Sequence, residues 1–198
     1  MPLTTLKDVL TTASETRTAI PGFNIDNIEI PEAIMVAAER CKYPVILTIG
    51  QGAIGGVEDG VVRDNRNLVD VREVERFIAA VDVDALAVGI GNAHGMYKGL
   101  PQLDFELLQQ CQALNPPPLV LHGGSGIPDD MIRRAIEIGI RKINVATEVR
   151  NAFMAGLESS VGGRDIYSMY RSAADRVTAL AENKMRLFQR LDGLANIS

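Results

Sequence analysis

The sequence predicts an α/β chain of the parallel (β/α)-barrel type that stops several units short of closure. Five apolar runs, centred on Phe23, Ile46, Val88, Val120 and Ile143, alternate with amphipathic stretches, the pattern of a parallel sheet flanked by helices. The runs give way to glycine or polar residues at their carboxyl ends, where barrels of this kind carry their chemistry. A closed barrel takes eight strands and about 250 residues. This chain has 198 residues, and about five of eight strands are recognisable, so the expected barrel is incomplete.

Residues 4–17 read as the first helix, with Thr4 or Thr5 able to cap it and Leu6, Val9 and Leu10 on one face. Residues 19–24 form a short strand followed by the polar groups Asn24, Asp26 and Asn27. Residues 30–42 are the second helix, opened by Pro31, whose missing N–H costs nothing in a first turn. Residues 44–49 are apolar on both faces, which predicts an interior strand. The alternation then breaks. Where a helix and a strand should follow Ile54, the loop Gly55-Gly-Val-Glu58-Asp59-Gly60 arrives at once and leads into a polar stretch through Asn67.

A helix over 71–81, a buried strand over 85–90 and a helix over 103–114 restore the rhythm, and Pro116 to Pro118 end the last of these. Residues 119–121 are a buried strand that stops at His122-Gly-Gly-Ser-Gly126. Ile127-Pro-Asp-Asp130 opens the next helix, with its carboxylates at the positive end of the dipole. Residues 142–148 are the fifth strand, and 149–192 are largely helical with a break at 162–165. Tyr167, Tyr170 and Phe188 are expected to pack. Arg150, Arg164, Arg171, Arg176, Lys184 and Arg186 are expected to form a solvated helix face.

Hydrophobic residues at 46% and charged residues at 23% describe a chain with a core rather than a disordered one. A net charge of -5, a pI near 5.1 and no basic run argue against a nucleic-acid binder. No apolar stretch approaches membrane-spanning length, and the first residues lack the layout of a signal peptide. Cys41 and Cys111 are isolated, which predicts buried thiols and a reducing, cytoplasmic location.

The chain has two histidines, His94 and His122, 28 residues apart, each after an apolar run and before glycine. That spacing is about one βα unit, so both imidazoles would reach the same rim and could share one metal ion. A catalytic zinc usually takes three protein ligands, which leaves one to find. The plain alternative is a pair of rim histidines that only hydrogen-bond. Gly123, Gly124 and Ser125, with Asn144, Val145, Ala146 and Thr147 on the next strand, would form a pocket of N–H and hydroxyl donors suited to a phosphate. Ordinary turn chemistry and helix capping by Thr147 are the alternative there. Glu58 and Asp59, on a glycine-flanked loop, could supply a mobile acid or base, or could simply be solvated.

Three ordered motifs, Gly91-Asn-Ala-His94-Gly-Met-Tyr-Lys-Gly, Leu121-His122-Gly-Gly-Ser-Gly and Lys142-Ile-Asn144-Val-Ala-Thr147-Glu, resemble those of the class II, zinc-dependent ketose-bisphosphate aldolases. Order, spacing and linking helices also match. The last motif is more similar to the tagatose-bisphosphate members, with the fructose-bisphosphate members as near relatives. The resemblance implies a TIM (β/α)8 barrel, here one domain over 1–198, and reversible cleavage of a tagatose or fructose 1,6-bisphosphate to dihydroxyacetone phosphate and glyceraldehyde 3-phosphate. It implies a Zn2+ ion that polarises the carbonyl as a Lewis acid, with His94 and His122 as two of its ligands. Gly95, Gly123, Gly124, Ser125, Asn144, Val145, Ala146 and Thr147 match the segments that hold dihydroxyacetone phosphate. Glu58 matches the proton-abstracting glutamate of some fructose-bisphosphate members. A homodimer or homotetramer is implied as well.

One departure is large. The family's His-x-Asp-His segment, which brings the remaining histidine ligand and the aspartate that moves the proton on the cleaved hydroxyl, is absent. Barrel units are expected to be missing near 53–55. This predicts weak zinc binding, impaired cleavage and open sheet edges at the Ile46 and Val88 strands. A non-catalytic phosphosugar-binding module, or a partner subunit of an aldolase, is the alternative from another functional class.

Overall fold

The structure, a computed structural model, describes residues 3–49, 68–93, 95, 97, 99–162 and 165–189. Five strands, β1 (Ile20–Asn24), β2 (Ile46–Thr48), β3 (Leu86–Ala87), β4 (Leu119–Leu121) and β5 (Ile140–Val145), pair in parallel in the order β2-β1-β5-β4-β3. The described helices are α1 (Leu6–Thr16), α2 (Glu29–Cys41), α3 (Val71–Ala80), α4 (Phe105–Ala113), α5 (Asp129–Ile138), α6 (Thr147–Glu158) and α7 (Ile166–Gln189). The first strand lies beside the last, the pairing by which a parallel α/β chain curls round on itself. Among the described residues β2 and β3 are the two ends of the sheet, and no described strand closes the barrel between the Ile46 and Val88 segments.

Local chemistry sets the helix starts. Thr5 accepts from the Asp8 N–H at 3.1 Å, Asp70 from the Arg72 N–H at 2.9 Å and Asp104 from the Leu107 N–H at 2.9 Å, each relieving an unpaired first-turn donor. Pro128 stands at the N-cap of α5, with Asp129 and Asp130 in the first turn behind it.

β2 is not the interior strand its apolar faces predict. Among the described residues it pairs with β1 alone, and Leu47 and Ile49 are 37% and 61% exposed. Apolar residues on both faces report what a strand could bury, not whether a neighbour is present to bury it. The paired part of β3 is also shorter than 85–90. Beyond it, Val69 N–H donates to Gly89 O at 2.8 Å and Leu68 bridges Ile90 antiparallel, so residues 68–69 cover part of that edge.

The main core lies between the outer face of the sheet and the helices, with α7 packed on α2 and α6 through Ala173, Val177, Ala181, Met185 and Phe188. A smaller cluster of Leu10, Ala13 and Ile20, with Ile46 and Ala85 against it, seats α1 near the amino ends of the strands. α6 and α7 touch backbone to backbone. A Cβ on Gly156 would overlap Ala173 Cα and lie 2.7 Å from Ala173 N and 2.8 Å from Ser172 O. Gly156→Ala should therefore destabilise by about 1–3 kcal/mol, although alanine is the better helix former by about 1 kcal/mol. Urea unfolding checks this, and a gain in stability would mean that the helices part without cost.

The tail departs from a uniformly solvated basic face. Lys184 is buried against Glu148, Arg150 pairs with Asp26 at 2.7 Å, and Arg164 lies outside the described residues. Phe188 packs as expected, whereas Tyr167 is 76% and Tyr170 40% exposed. Cys111 is buried and Cys41 half-buried, and desolvation pushes both thiols up from their ordinary pKa. Among the described residues no helix is long and apolar enough to cross a membrane.

Candidate functional site

The site grows from the alternation of β5. Ile143 and Val145 turn to the helices and join the core, which sends Lys142 and Asn144 to the opposite face. Gly22 on β1 makes room for them, since a Cβ there would lie 2.8 Å from Asn144 Oδ1 and 3.3 Å from Lys142 Nζ. The Lys142 ammonium donates to Asn144 Oδ1, and Asn144 Nδ2 stands 3.1 Å from His122 Nδ1 at the end of β4. An ammonium can only donate, so the amide oxygen must face Lys142 and the amide NH2 donates to the ring nitrogen. Desolvation holds Lys142 below its ordinary value of 10.5.

The turn after His122 locks onto the start of α6. Gly124 N–H donates to Asn144 O at 2.9 Å, and a Cβ on Gly124 would lie 2.5 Å from Ile143 Cγ2. Ser125, 2% exposed, accepts from the N–H groups of Ala146 and Glu148, each at 3.3 Å. Glu148 Oε1 accepts from Gly126 N–H at 2.8 Å. Ala146 is the N-cap of α6 and offers no side-chain cap, so Ser125 caps that helix from the neighbouring turn, while Thr147 is only its first residue. A serine hydroxyl has two acceptor positions and one hydrogen. Both acceptor positions of Ser125 are taken, which leaves its hydrogen to donate.

Two side chains tie the β3 loop to this turn on either side of His94. Asn92, buried, accepts from Ile90 N–H at 2.9 Å and donates to His122 O at 3.0 Å. The Tyr97 hydroxyl accepts from Ala93 N–H at 3.0 Å and donates to Gly123 O at 3.3 Å, and burial pushes its phenol up from the ordinary value. Sequence reasoning assigned no role to Asn92, Tyr97 or Lys142, although each stands inside a quoted motif beside a candidate residue.

His122, Gly123, Gly124, Ser125, Asn144 and Ala146 are thus joined by direct contacts. Thr147 is half-buried at the start of α6, Val145 is buried toward the helices, and Gly95 has no heavy atom within 4 Å of a Cβ position. His94, Glu58 and Asp59 lie outside the described residues. Among the described residues no three His, Cys, Asp or Glu side chains come together to hold a metal ion. His122 is the one described histidine, and an amide NH2 faces its Nδ1. One described histidine cannot make a catalytic zinc centre with three protein ligands, so His94, outside the described residues, would have to join it.

The sequence pattern of the fructose-bisphosphate aldolase class-II family matches residues 4–54 and 49–192, two stretches that meet at 49–54. Among solved structures, the chain is similar to the YdjI aldolase from Escherichia coli K12, with a TM-score of 0.81 and 24% identity over 94% of this chain and 97% of that one. It is also similar to the fructose-bisphosphate aldolase from Campylobacter jejuni, with a TM-score of 0.73 and 16% identity over 92% and 93% of the two chains. Identities this low speak for the fold alone, an incomplete TIM barrel; the family pattern, matched along almost the whole sequence, speaks for descent. The chain belongs to the class II fructose-bisphosphate aldolases, a family of aldehyde-lyases.

Proposed function

We propose that this chain retains the dihydroxyacetone phosphate half of a class II aldolase site and cleaves tagatose or fructose 1,6-bisphosphate with strongly impaired turnover. The observation that carries the reading is Ser125, buried, held by two N–H groups and left with a hydrogen to donate beside the N-terminus of α6. Gly95, Gly123, Gly124, Ser125, Asn144, Val145, Ala146 and Thr147 hold the phosphosugar, and Glu58 abstracts its proton. His94 and His122 would hold Zn2+, which when bound would supply Lewis-acid polarisation of the carbonyl.

Impairment follows from what the chain lacks. Two histidines hold zinc weakly, and the His-x-Asp-His segment, with the aspartate that moves the proton on the cleaved hydroxyl, is absent from the sequence. The proposal takes 1–198 as one domain with barrel units missing near 53–55. The split of the family match at 49–54 and the open edges at β2 and β3 support it. A homodimer or homotetramer, read by light scattering, belongs to the same proposal. A second reading, a phosphosugar-binding module or partner subunit without turnover, is favoured by the absence of a His-x-Asp-His segment from the sequence.

The test is aldol cleavage of both bisphosphates with added zinc, beside a His94→Ala control. Loss of a positioned acid or base costs about 10²–10⁴-fold, so turnover should fall below that of an intact family member by that factor and vanish with a chelator. Turnover equal to that of an intact enzyme would overturn the impairment. Activity no higher than the control, with dihydroxyacetone phosphate still protecting against thermal unfolding, selects the second reading. Neither activity nor protection overturns both.

A further inference from the structure

We infer that Lys184 of α7 is a positioning residue for the phosphate-holding turn, acting by neutralising Glu148. The inference rests on the reading of Gly123 to Ser125 and Asn144 to Thr147 as the segments that hold the phosphosugar. Lys184 is 9% exposed, the one charged side chain among the described residues to be buried that far. Its Nζ lies 2.7 Å from Glu148 Oε2, an ion pair without hydrogen-bond geometry. The other oxygen of Glu148 accepts from Gly126 N–H, and the Glu148 N–H donates to Ser125 Oγ. Turn and helix start therefore clasp each other through one serine and one carboxylate, and α7 reaches in to complete the clasp.

The carboxylate does two things at once. It fixes Gly126, and with it the turn that carries Ser125. It also sets a negative charge beside the hydroxyl that is to meet an anion. Alone, that charge would oppose a phosphate and cancel much of the attraction of the α6 N-terminus. Lys184 removes the conflict, because the paired carboxylate keeps its grip on Gly126 N–H while the turn stays close to neutral. Glu148 Oε2, shut off from solvent on a half-buried side chain, also needs such a partner for its own sake, since desolvation penalises an unpaired charge.

The test is the affinity for dihydroxyacetone phosphate, measured by calorimetry on the wild type, Lys184→Met, Lys184→Arg and the double variant Glu148→Gln/Lys184→Met. Lys184→Met should bind on the order of ten-fold more weakly, and Lys184→Arg close to wild type. The double variant should recover most of the loss, because the opposing carboxylate is gone. The loss in Lys184→Met should also shrink from about pH 7.5 to about pH 5.5, where the phosphate carries less charge; a purely structural lysine would show no such dependence. A wild type that binds while Lys184→Met binds equally well overturns the inference alone, as does a double variant no better than Lys184→Met. If Lys184→Met lacks a cooperative melt, Glu148→Gln with Lys184 in place carries the test: unchanged or tighter binding supports the charge argument, and weaker binding overturns it. A wild type that does not bind overturns the phosphate reading and this inference with it.

Discussion

Truncating Phe188 to alanine should cost about 3–5 kcal/mol, the lost transfer free energy of the ring plus the cavity it leaves. Phe188 is 1% exposed, and its carbonyl accepts from Ala19 N–H at 3.2 Å, so it joins the last described turn of α7 to the entry of β1. α7 is also the helix that packs most extensively, on α2 on one side and α6 on the other. The cavity would therefore open where three elements converge, with little freedom to collapse. Domains are typically stable by only about 5–15 kcal/mol, and an open sheet with exposed Leu47 and Ile49 has less core to draw on than a closed barrel. At about 2–4 °C per kcal/mol for a chain of this size, the thermal midpoint should fall by roughly 6–20 °C. Tyr167→Ala, at a position 76% exposed, should stay within about 0.5 kcal/mol and serves as the control. A Phe188→Ala loss under about 1 kcal/mol would put α7 outside the cooperative core.

What the sequence could show depended on whether the information was local. Thr5 as a cap, Pro128 at a helix entry, and the buried strand over Leu119 to Leu121 needed only a few neighbouring residues, and each is found where expected. The break in alternation before Glu58 is also local, and it agrees with a described sheet that stops short of a closed barrel. The interior assignment of β2 failed for a reason of the same kind in reverse. Apolarity on both faces is a property of the strand, whereas burial belongs to the strand and a neighbour, and the described residues supply β2 with one on one side only. At the site, His122, Ser125 and Asn144 announced themselves through glycine and strand-end positions. Lys184 did not. On an amphipathic helix a lysine paired inward and a lysine facing water leave the same trace, and only the position of Glu148 tells them apart. Asn92 and Tyr97 were visible as letters of a motif, but their partners are main-chain atoms of another loop, which no pattern of side chains reveals.

Asn144→Leu should uncouple the site at a cost that depends on pH. The substitution keeps the bulk of the side chain but leaves Lys142 without its acceptor and His122 Nδ1 without its donor. An abandoned buried partner costs about 1–3 kcal/mol, more when charged, so a loss of about 2–4 kcal/mol is expected near neutral pH. Lys142 gives that loss its sign. Desolvation sets its folded pKa below 10.5, so over the interval up to 10.5 the unfolded chain binds more protons than the folded one. Stability therefore rises as pH climbs through the folded pKa, and the gain is complete near 10.5. Asn144 Oδ1 favours the charged amine; without it the folded pKa drops further and the interval widens. The variant should consequently recover more stability than the wild type on going from about pH 7 to about pH 9.5. Burial raises the pKa of Cys41, Cys111, Tyr43 and Tyr97, so both proteins lose stability alike above the ordinary values of 9.0 and 10.0, and that loss cancels in the difference. Paired urea titrations at the two pH values measure it. If the gap between Asn144→Leu and wild type is the same at both, Lys142 is not the group left stranded, and the contact between Lys142 and Asn144 contributes nothing to holding the amide against His122.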